Sequence, residues 1–254
     1  MSKRWRIGAV SYLNTRPLLL GIEQPSFLRE IELMTSYPSK IAAELIAGNI
    51  DIGLVPVAVI PELKHAQIVS DYCIGAEGRV ASVAIFSKKP IEQIEKIYLD
   101  YQSRTSVALA QILIKLYWKL EIEFIHAPEN FIDLIEDNTA AVIIGDRALM
   151  HLEDFEYVYD LALIWKTFTG YPFVFAAWVA NQEVPEDFIA LFNKANEMGL
   201  NRIDDVVAGI EAKEQIFDLK KYYTENISYQ LTEEKKKGLA LFLKYLREHP
   251  VKSI

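Results

Sequence analysis

The order in which strand and helix signals alternate does most to restrict the fold of this chain. Arg6–Val10 and Glu30–Thr35 have strand character, and Ile50–Val55 reads as a short buried strand closed by Pro56. A helix begins near Pro17, a residue suited to a first helical turn. Another follows Ser39, where Ile41, Leu45 and Ile46 are spaced to bury one face. This β-α-β-α-β order implies parallel strands. A strand-like run, Val80–Ser87, then ends at Lys88-Lys89-Pro90, and the alternation starts afresh. Strands are expected at Lys96–Leu99, Ile122–Ile125 and Ala140–Ile144, separated by helices at about Thr105–Leu120 and Phe131–Asp137. A second extended run, Phe173–Val179, leads into helical segments. In the last of these Leu239, Phe242, Leu243 and Leu246 share a stripe, with Thr232 as cap and Glu233 and Glu234 in the first turn.

Two extended runs bracketing a restarted α/β pattern predict a chain that crosses twice between two lobes. Residues 1–84 and 176–254 form a discontinuous first lobe, residues 85–175 an inserted second lobe, and a ligand cleft is expected between them. The alternative is one larger doubly wound domain with Ser82 and Phe175 in ordinary central strands.

Composition narrows the classes of function. With 254 residues, 51% hydrophobic and 24% charged, the chain can bury a substantial core, which excludes disordered and fibrous classes. Its longest apolar run, Tyr171–Ala180, is about half the roughly 20 residues a bilayer crossing needs, so no membrane insertion is expected. The opening Met1-Ser2-Lys3-Arg4-Trp5-Arg6 is soon followed by polar Ser11-Tyr12-Leu13-Asn14. The apolar stretch of a secretory leader is missing, and a cytoplasmic location is expected. One cysteine, Cys73, and four histidines disfavour disulfides and a Cys/His zinc site, so no metal is expected. A net charge of −8 argues against a nucleic-acid partner. An anionic ligand would need local donors.

Such donors cluster at strand-to-helix turns: Ser11-Tyr12-Leu13-Asn14-Thr15-Arg16-Pro17, Ser36-Tyr37-Pro38-Ser39 and Asp100-Tyr101-Gln102-Ser103-Arg104-Thr105-Ser106. Each places hydroxyls or amides at a helix start, where backbone N–H groups and the helix dipole attract a carboxylate or phosphate. Any one of them reads as readily as an N-cap. Three at corresponding turns favour a small acidic ligand.

Six segments carry a resemblance over most of the chain, thinning only in the C-terminal helices. They are Val10–Leu18, Gly48–Pro56, Ser82-Val83, Leu99–Ser106, Ile143–Leu149 and Thr169–Trp178. In order and spacing the chain is similar to the chorismate dehydratases of the futalosine pathway of menaquinone biosynthesis. The resemblance implies a two-lobed α/β clamshell like the type II periplasmic binding proteins, with parallel-rich mixed sheets, no metal and no organic cofactor. It implies a hydro-lyase that takes the C3 hydrogen and the C4 hydroxyl from chorismate to give 3-enolpyruvylbenzoate, with aromatisation as the driving force. It places Asn14 and Ser82 at the substrate as catalytic residues, with Thr105 and Ser106 as carboxylate donors. Ser11, Tyr12, Arg16, Ser39, Ser103, Arg104 and Gly145 complete the expected substrate-binding set. The matched segments contain no histidine, so the expected base is the substrate's own side-chain carboxylate, oriented by Asn14. Oligomeric state stays open, a homodimer being one option.

Other residues have plainer readings. Asp146 could be a general acid, a helix cap or a partner of Arg147. Arg16 and Arg104 could clamp a carboxylate or be solvated. His65, His126 and His151 read as structural, Trp165, Phe173, Phe175 and Trp178 as core, and Cys73 as an inert buried thiol. The run Glu233-Glu234-Lys235-Lys236-Lys237 reads as a solvated helix start. Three rival functions stand beside the dehydratase. A non-catalytic clamshell binding protein for a small aromatic or cyclic carboxylate would normally carry an export signal. The sister enzyme making dihydroxynaphthoate has Cys-Pro-Asn-Asp where this chain has Ser-Tyr-Leu-Asn. Prephenate dehydratase has a Thr-Arg-Phe signature, echoed here only by Thr15-Arg16-Pro17.

Overall fold

A computed structural model of the chain describes residues 4–210 and 217–252, which divide into two compact units. The first comprises residues up to Gly75 together with Val174–Thr232. Its strands are β1 (Trp5–Val10), β2 (Ile31–Ser36), β3 (Ile52–Pro56), β4 (Gln67–Ala76), β10 (Phe173–Ala180) and β11 (Ser228–Gln230). Its helices are α1 (Arg16–Ile22), α2 (Pro25–Leu28), α3 (Pro38–Ile46), α7 (Glu186–Leu200), α8 (Ile203–Ala208) and α9 (Leu219–Lys221). The sheet runs β11-β4-β10-β3-β1-β2, with β1 parallel to β2 and β3 and β10 antiparallel to β3. Every residue of β3 is buried, and α3 covers the sheet with Ile41, Ala42 and Leu45. Helices α1 and α7 meet almost backbone to backbone. A Cβ on Gly21 would lie 1.7 Å from the Ala195 carbonyl oxygen, and one on Gly199 would lie 1.9 Å from that of Pro17, so only glycine fits at either position.

The second unit comprises Ala76–Phe173 and the residues from Glu233 onward. Its strands are β5 (Val83–Ser87), β6 (Lys96–Leu99), β7 (Glu123–His126), β8 (Thr139–Ile144) and β9 (Tyr157–Asp160), in the order β7-β6-β8-β5-β9. Here β6 is parallel to β7 and β8, while β5 is antiparallel to β8 and β9. Its helices are α4 (Arg104–Leu113), α5 (Gly145–Met150), α6 (Leu161–Thr169) and α10 (Glu233–Glu248). One buried cluster joins Ala84, Phe86, Phe131, Ile135, Ala141, Ile143 and Ala148. Another is aromatic: Trp165 meets Phe173 and Phe242 edge-on, at 5.3 and 6.1 Å between ring centres.

That aromatic contact moves the last helix out of the lobe in which the sequence reading puts it. The stripe of α10 carrying Leu239 and Phe242 buries against the second unit, so both units are discontinuous. The chain passes between them at 75/76, 173/174 and 232/233, three times rather than twice, and not at 84/85 or 175/176. The same helical period explains a second correction. Lys235 lies four and seven residues before Leu239 and Phe242 and is fully buried, its Nζ 3.6 Å from Glu77, so the basic run is not a uniformly solvated helix start. Strands β4, β9 and β11 were not expected. The expected Thr105–Leu120 helix holds α geometry only to Leu113, then widens into a π-type turn at Ile114–Trp118 and stops at Lys119, at φ +56°. Phe131–Asp137 contributes a single short turn, Phe131–Leu134. Among the described residues no helix is long and apolar enough to cross a membrane.

Candidate functional site

In each unit the path of the chain marks one end of the sheet. From β1 the chain goes to β2 on one side and then to β3 on the other. From β6 it goes to β7 and then to β8 on the opposite side. Helices must therefore leave in opposite directions from the C-terminal ends of β1 and β3, and of β6 and β8, which opens a crevice at each such end.

At the first crevice the segment after β1 is tied to the segment after β2, the Ser11 N–H donating to the Ser36 carbonyl at 3.1 Å. A single turn, Leu13–Thr15, then runs into α1. Leu13 and Thr15 are buried, which leaves Asn14 half-buried between them. Two bonds fix Asn14. The Thr15 hydroxyl donates to its Oδ1 at 3.1 Å, and the Tyr229 hydroxyl donates to its backbone carbonyl at 2.9 Å. Burial holds the Tyr229 phenol well above its ordinary pKa of 10.0, with Tyr222 and Tyr223 adding to the effect, so it remains a protonated donor. With Oδ1 engaged by Thr15, Asn14 presents its amide N–H groups as donors. Tyr12 occupies the N-cap position of the turn through its backbone, and half-buried Ser39 is the second residue of α3. Arg16, exposed at the start of α1, borders a cavity of about 310 Å³ with Leu19, Glu23, Asp205 and Gly209.

The second crevice gathers Ser82, Gly145 and Ser103–Ser106 at one end of the sheet. The register places Val83 opposite Ile144, and the Gly145 N–H donates to the Ser82 carbonyl at 2.8 Å. Ser82 is 1% exposed. Gly145 sits at φ +63°, where glycine is favoured, and lets the chain turn from β8 straight into α5. Across the crevice Ser103 caps α4. Its Oγ accepts the Ser106 N–H at 3.3 Å and the two hydroxyls are 2.9 Å apart, so its capping role is a geometric fact. Thr105 is fully buried, Ser106 nearly so, and Arg104 half-buried in the first turn.

The loop leading to α4 is pinned from below. Asp100, fully buried, pairs with Arg147 at 2.6 Å and accepts the Gln102 N–H at 3.0 Å. Arg147 also lies over the rings of Tyr101 and Phe131, at 5.9 and 5.5 Å. Desolvation raises the Asp100 carboxyl above its ordinary value, while Arg147 and the Gln102 amide act in the opposite direction. Of the readings open for Asp146, the structure puts it in the first turn of α5 and gives Arg147 to Asp100.

Elsewhere in the matched segments, Asp51 serves structure. It accepts from the Arg6 backbone and guanidinium and from Gln182. His151 pairs with Asp154, His126 lies in β7 and the His65 N–H bonds to Asn181. Trp165, Phe173, Phe175, Trp178 and Cys73 are all buried. Among the described residues no group of three or more His, Cys, Asp or Glu side chains is placed to hold a metal ion. Sequence reasoning missed Tyr229, Asp160 and the Asp100–Arg147 pair. Asp100 and Arg147 both lie in segments that carry the resemblance, but nothing local reports their pairing.

Two α/β units with a mixed sheet and a discontinuous chain path define a protein of the periplasmic-binding-protein-like class. A protein from Archaeoglobus fulgidus superposes with a TM-score of 0.75 at 13% identity, covering 97% of this chain and 98% of that one. A Candida albicans protein described as having the generic periplasmic binding protein fold superposes at 0.64 with 12% identity, covering 99% and 96%. The aliphatic sulphonate binding protein SsuA of Escherichia coli superposes at 0.58 with 16% identity, covering 100% and 96%. Within that class residues 5–248 match the family described as menaquinone biosynthesis, and the chain belongs to it. It is 26% identical to chorismate dehydratase of Thermus thermophilus over 268 aligned positions, covering 94% of each chain.

Proposed function

We propose that this protein is a chorismate dehydratase acting at the entry of a futalosine-type route to menaquinone. The observation that carries the reading is the match to a chorismate dehydratase over 94% of each chain, together with an Asn14 side chain whose Oδ1 is engaged by the Thr15 hydroxyl. In the proposed reaction the C3 proton of chorismate passes to the carboxylate of the substrate's own enolpyruvyl arm. The C3–H electron pair becomes conjugated with the ring carboxylate, then forms the C3–C4 double bond as the C4 hydroxyl departs and is protonated to water. Asn14 orients the arm carboxylate. Thr105, Ser106 and the N-terminal amides of α4 receive the ring carboxylate, where charge develops, and Ser82 supplies a hydroxyl at the reacting edge. Fixed donors suit this step because they need no reorganisation as charge moves.

The test is to incubate purified protein with chorismate and to follow the mixture by chromatography and mass spectrometry. A product lighter by one water, with a benzoate-like spectrum, is expected. Chorismate bound tightly and recovered unchanged would instead favour a binding protein of the same fold.

A further inference from the structure

Asp160, the last residue of β9, is a buried carboxylate with no role in the steps above. Its two oxygens face different parts of the chain. Oδ1 accepts the N–H groups of Ala162 and Leu163, at 3.1 and 3.0 Å, and so caps α6. Oδ2 accepts the N–H of Ala81 at 2.7 Å, across 79 positions of sequence.

Ala81 is held at φ +63°, a left-handed conformation that L side chains disfavour. The Ser82 N–H donates back to the Val80 carbonyl at 2.8 Å, so residues 80–82 form a γ-turn centred on a positive φ, its rare and strained hand. The Ser82 carbonyl is in turn held by the Gly145 N–H. Both backbone groups of Ser82 are thus committed, and the direction of its hydroxyl depends on the turn before it. An alanine does not keep such a turn unaided, and such strain persists only where the surroundings enforce it.

We propose that Asp160 is a positioning residue, whose Oδ2 holds the Ala81 turn in the conformation that presents the Ser82 hydroxyl to substrate. The proposal rests on the reading of Ser82 as a substrate-contacting residue. A purely structural Asp160 would act only as the cap of α6, and the two oxygens allow the roles to be separated. Asparagine at 160 keeps an acceptor for Ala162 and Leu163 but turns an NH₂ group toward the Ala81 N–H. The cap survives and the tether is lost.

The experiment compares the parent, Asp160→Asn, and Asp160→Asn combined with Ala81→Gly, by chorismate turnover, thermal melting and amide hydrogen exchange at Ala81. Asp160→Asn is expected to stay folded at the assay temperature and to keep its KM, to lose protection at Ala81, and to lose kcat by about 10- to 100-fold, as misplacement of a reacting group does. Glycine adopts φ +63° without a Cβ penalty, so Ala81→Gly in that background is expected to recover several-fold of the loss. Parent-like kcat in Asp160→Asn, retained protection at Ala81, or a loss of kcat that follows the melting temperature and is not recovered by Ala81→Gly would each overturn the proposal. Impaired Ser82→Ala beside a fully active Asp160→Asn would sink the tether and leave the dehydratase reading standing. Absence of chorismate turnover in the parent would sink the dehydratase reading, and with it the catalytic purpose given to the tether.

Discussion

The hydroxyl of Tyr229 donates to the backbone carbonyl of Asn14 at 2.9 Å across 215 positions of sequence, joining the short strand β11 to the turn that follows β1. A residue near the end of the first unit therefore fixes one near its start. Tyr229→Phe removes this donor and little else. The part-buried carbonyl left without it predicts a loss of about 1 kcal/mol in urea unfolding. Turnover should also fall several-fold with KM close to the parent's. A parent-like kcat would show that the Asn14 backbone needs no such anchor.

Asn14→Ala keeps the turn, whose packing rests on Leu13 and Thr15, and deletes the amide donors. Turnover of chorismate should drop by about 100-fold or more, the scale seen when one preorganised donor to developing charge is lost. Circular dichroism and melting should match the parent. Full turnover in a folded Asn14→Ala protein would remove Asn14 from the mechanism.

Arg147→Met strands Asp100, which is fully buried, without its cation. Breaking a buried pair from one side costs about 3 to 5 kcal/mol, and the 26% exposure of the arginine side chain puts the expected loss toward the lower figure. Adding Asp100→Asn should return part of it, because the two positions share one interaction. Equilibrium unfolding of the single and double variants checks this. Additive losses would show that the pair is not coupled.

Asp160 also sets an acid-side dependence of stability. Burial raises its carboxyl above 3.8, against the lowering effects of the Leu163, Ala81 and Val80 amides and the nearby Arg79 charge. A carboxyl raised in the folded state binds its proton more tightly there than in the unfolded chain. Its contribution to stability is therefore complete below pH 3.8 and is lost as the pH rises through the raised folded value. Melting temperatures of the parent and Asp160→Asn, taken across that window, should show the parent losing ground to the variant as the pH rises. A difference that is flat, or that moves the other way, would contradict the assigned direction.

What the sequence shows of this fold is governed by how local each signal is. Strands with strong apolar runs, such as Lys96–Leu99 and Ala140–Ile144, and the stripe of α10 are readable because period and burial coincide. The placement of α10 is not readable. Its apolar stripe would suit either unit, and long-range contacts such as those of Phe242 with Trp165 and Phe173 decide it. Strand β5 begins three residues later than its apolar pattern suggests, because the positive φ of Ala81 is imposed by Asp160 from 79 positions away. The polar turns of the candidate site are legible as caps and donors. The residues that hold them, Tyr229, Asp100 with Arg147, and Asp160, act over long sequence separations that no local pattern reports.

The most direct measurement is incubation of the purified protein with chorismate carrying deuterium at C3, followed by mass analysis of the product. The account predicts a benzoate-type product that has lost one water and the deuterium together, formed more slowly than from unlabelled chorismate if proton removal limits the rate. Deuterium retained in a dehydrated product, or chorismate recovered intact from folded protein, would contradict it.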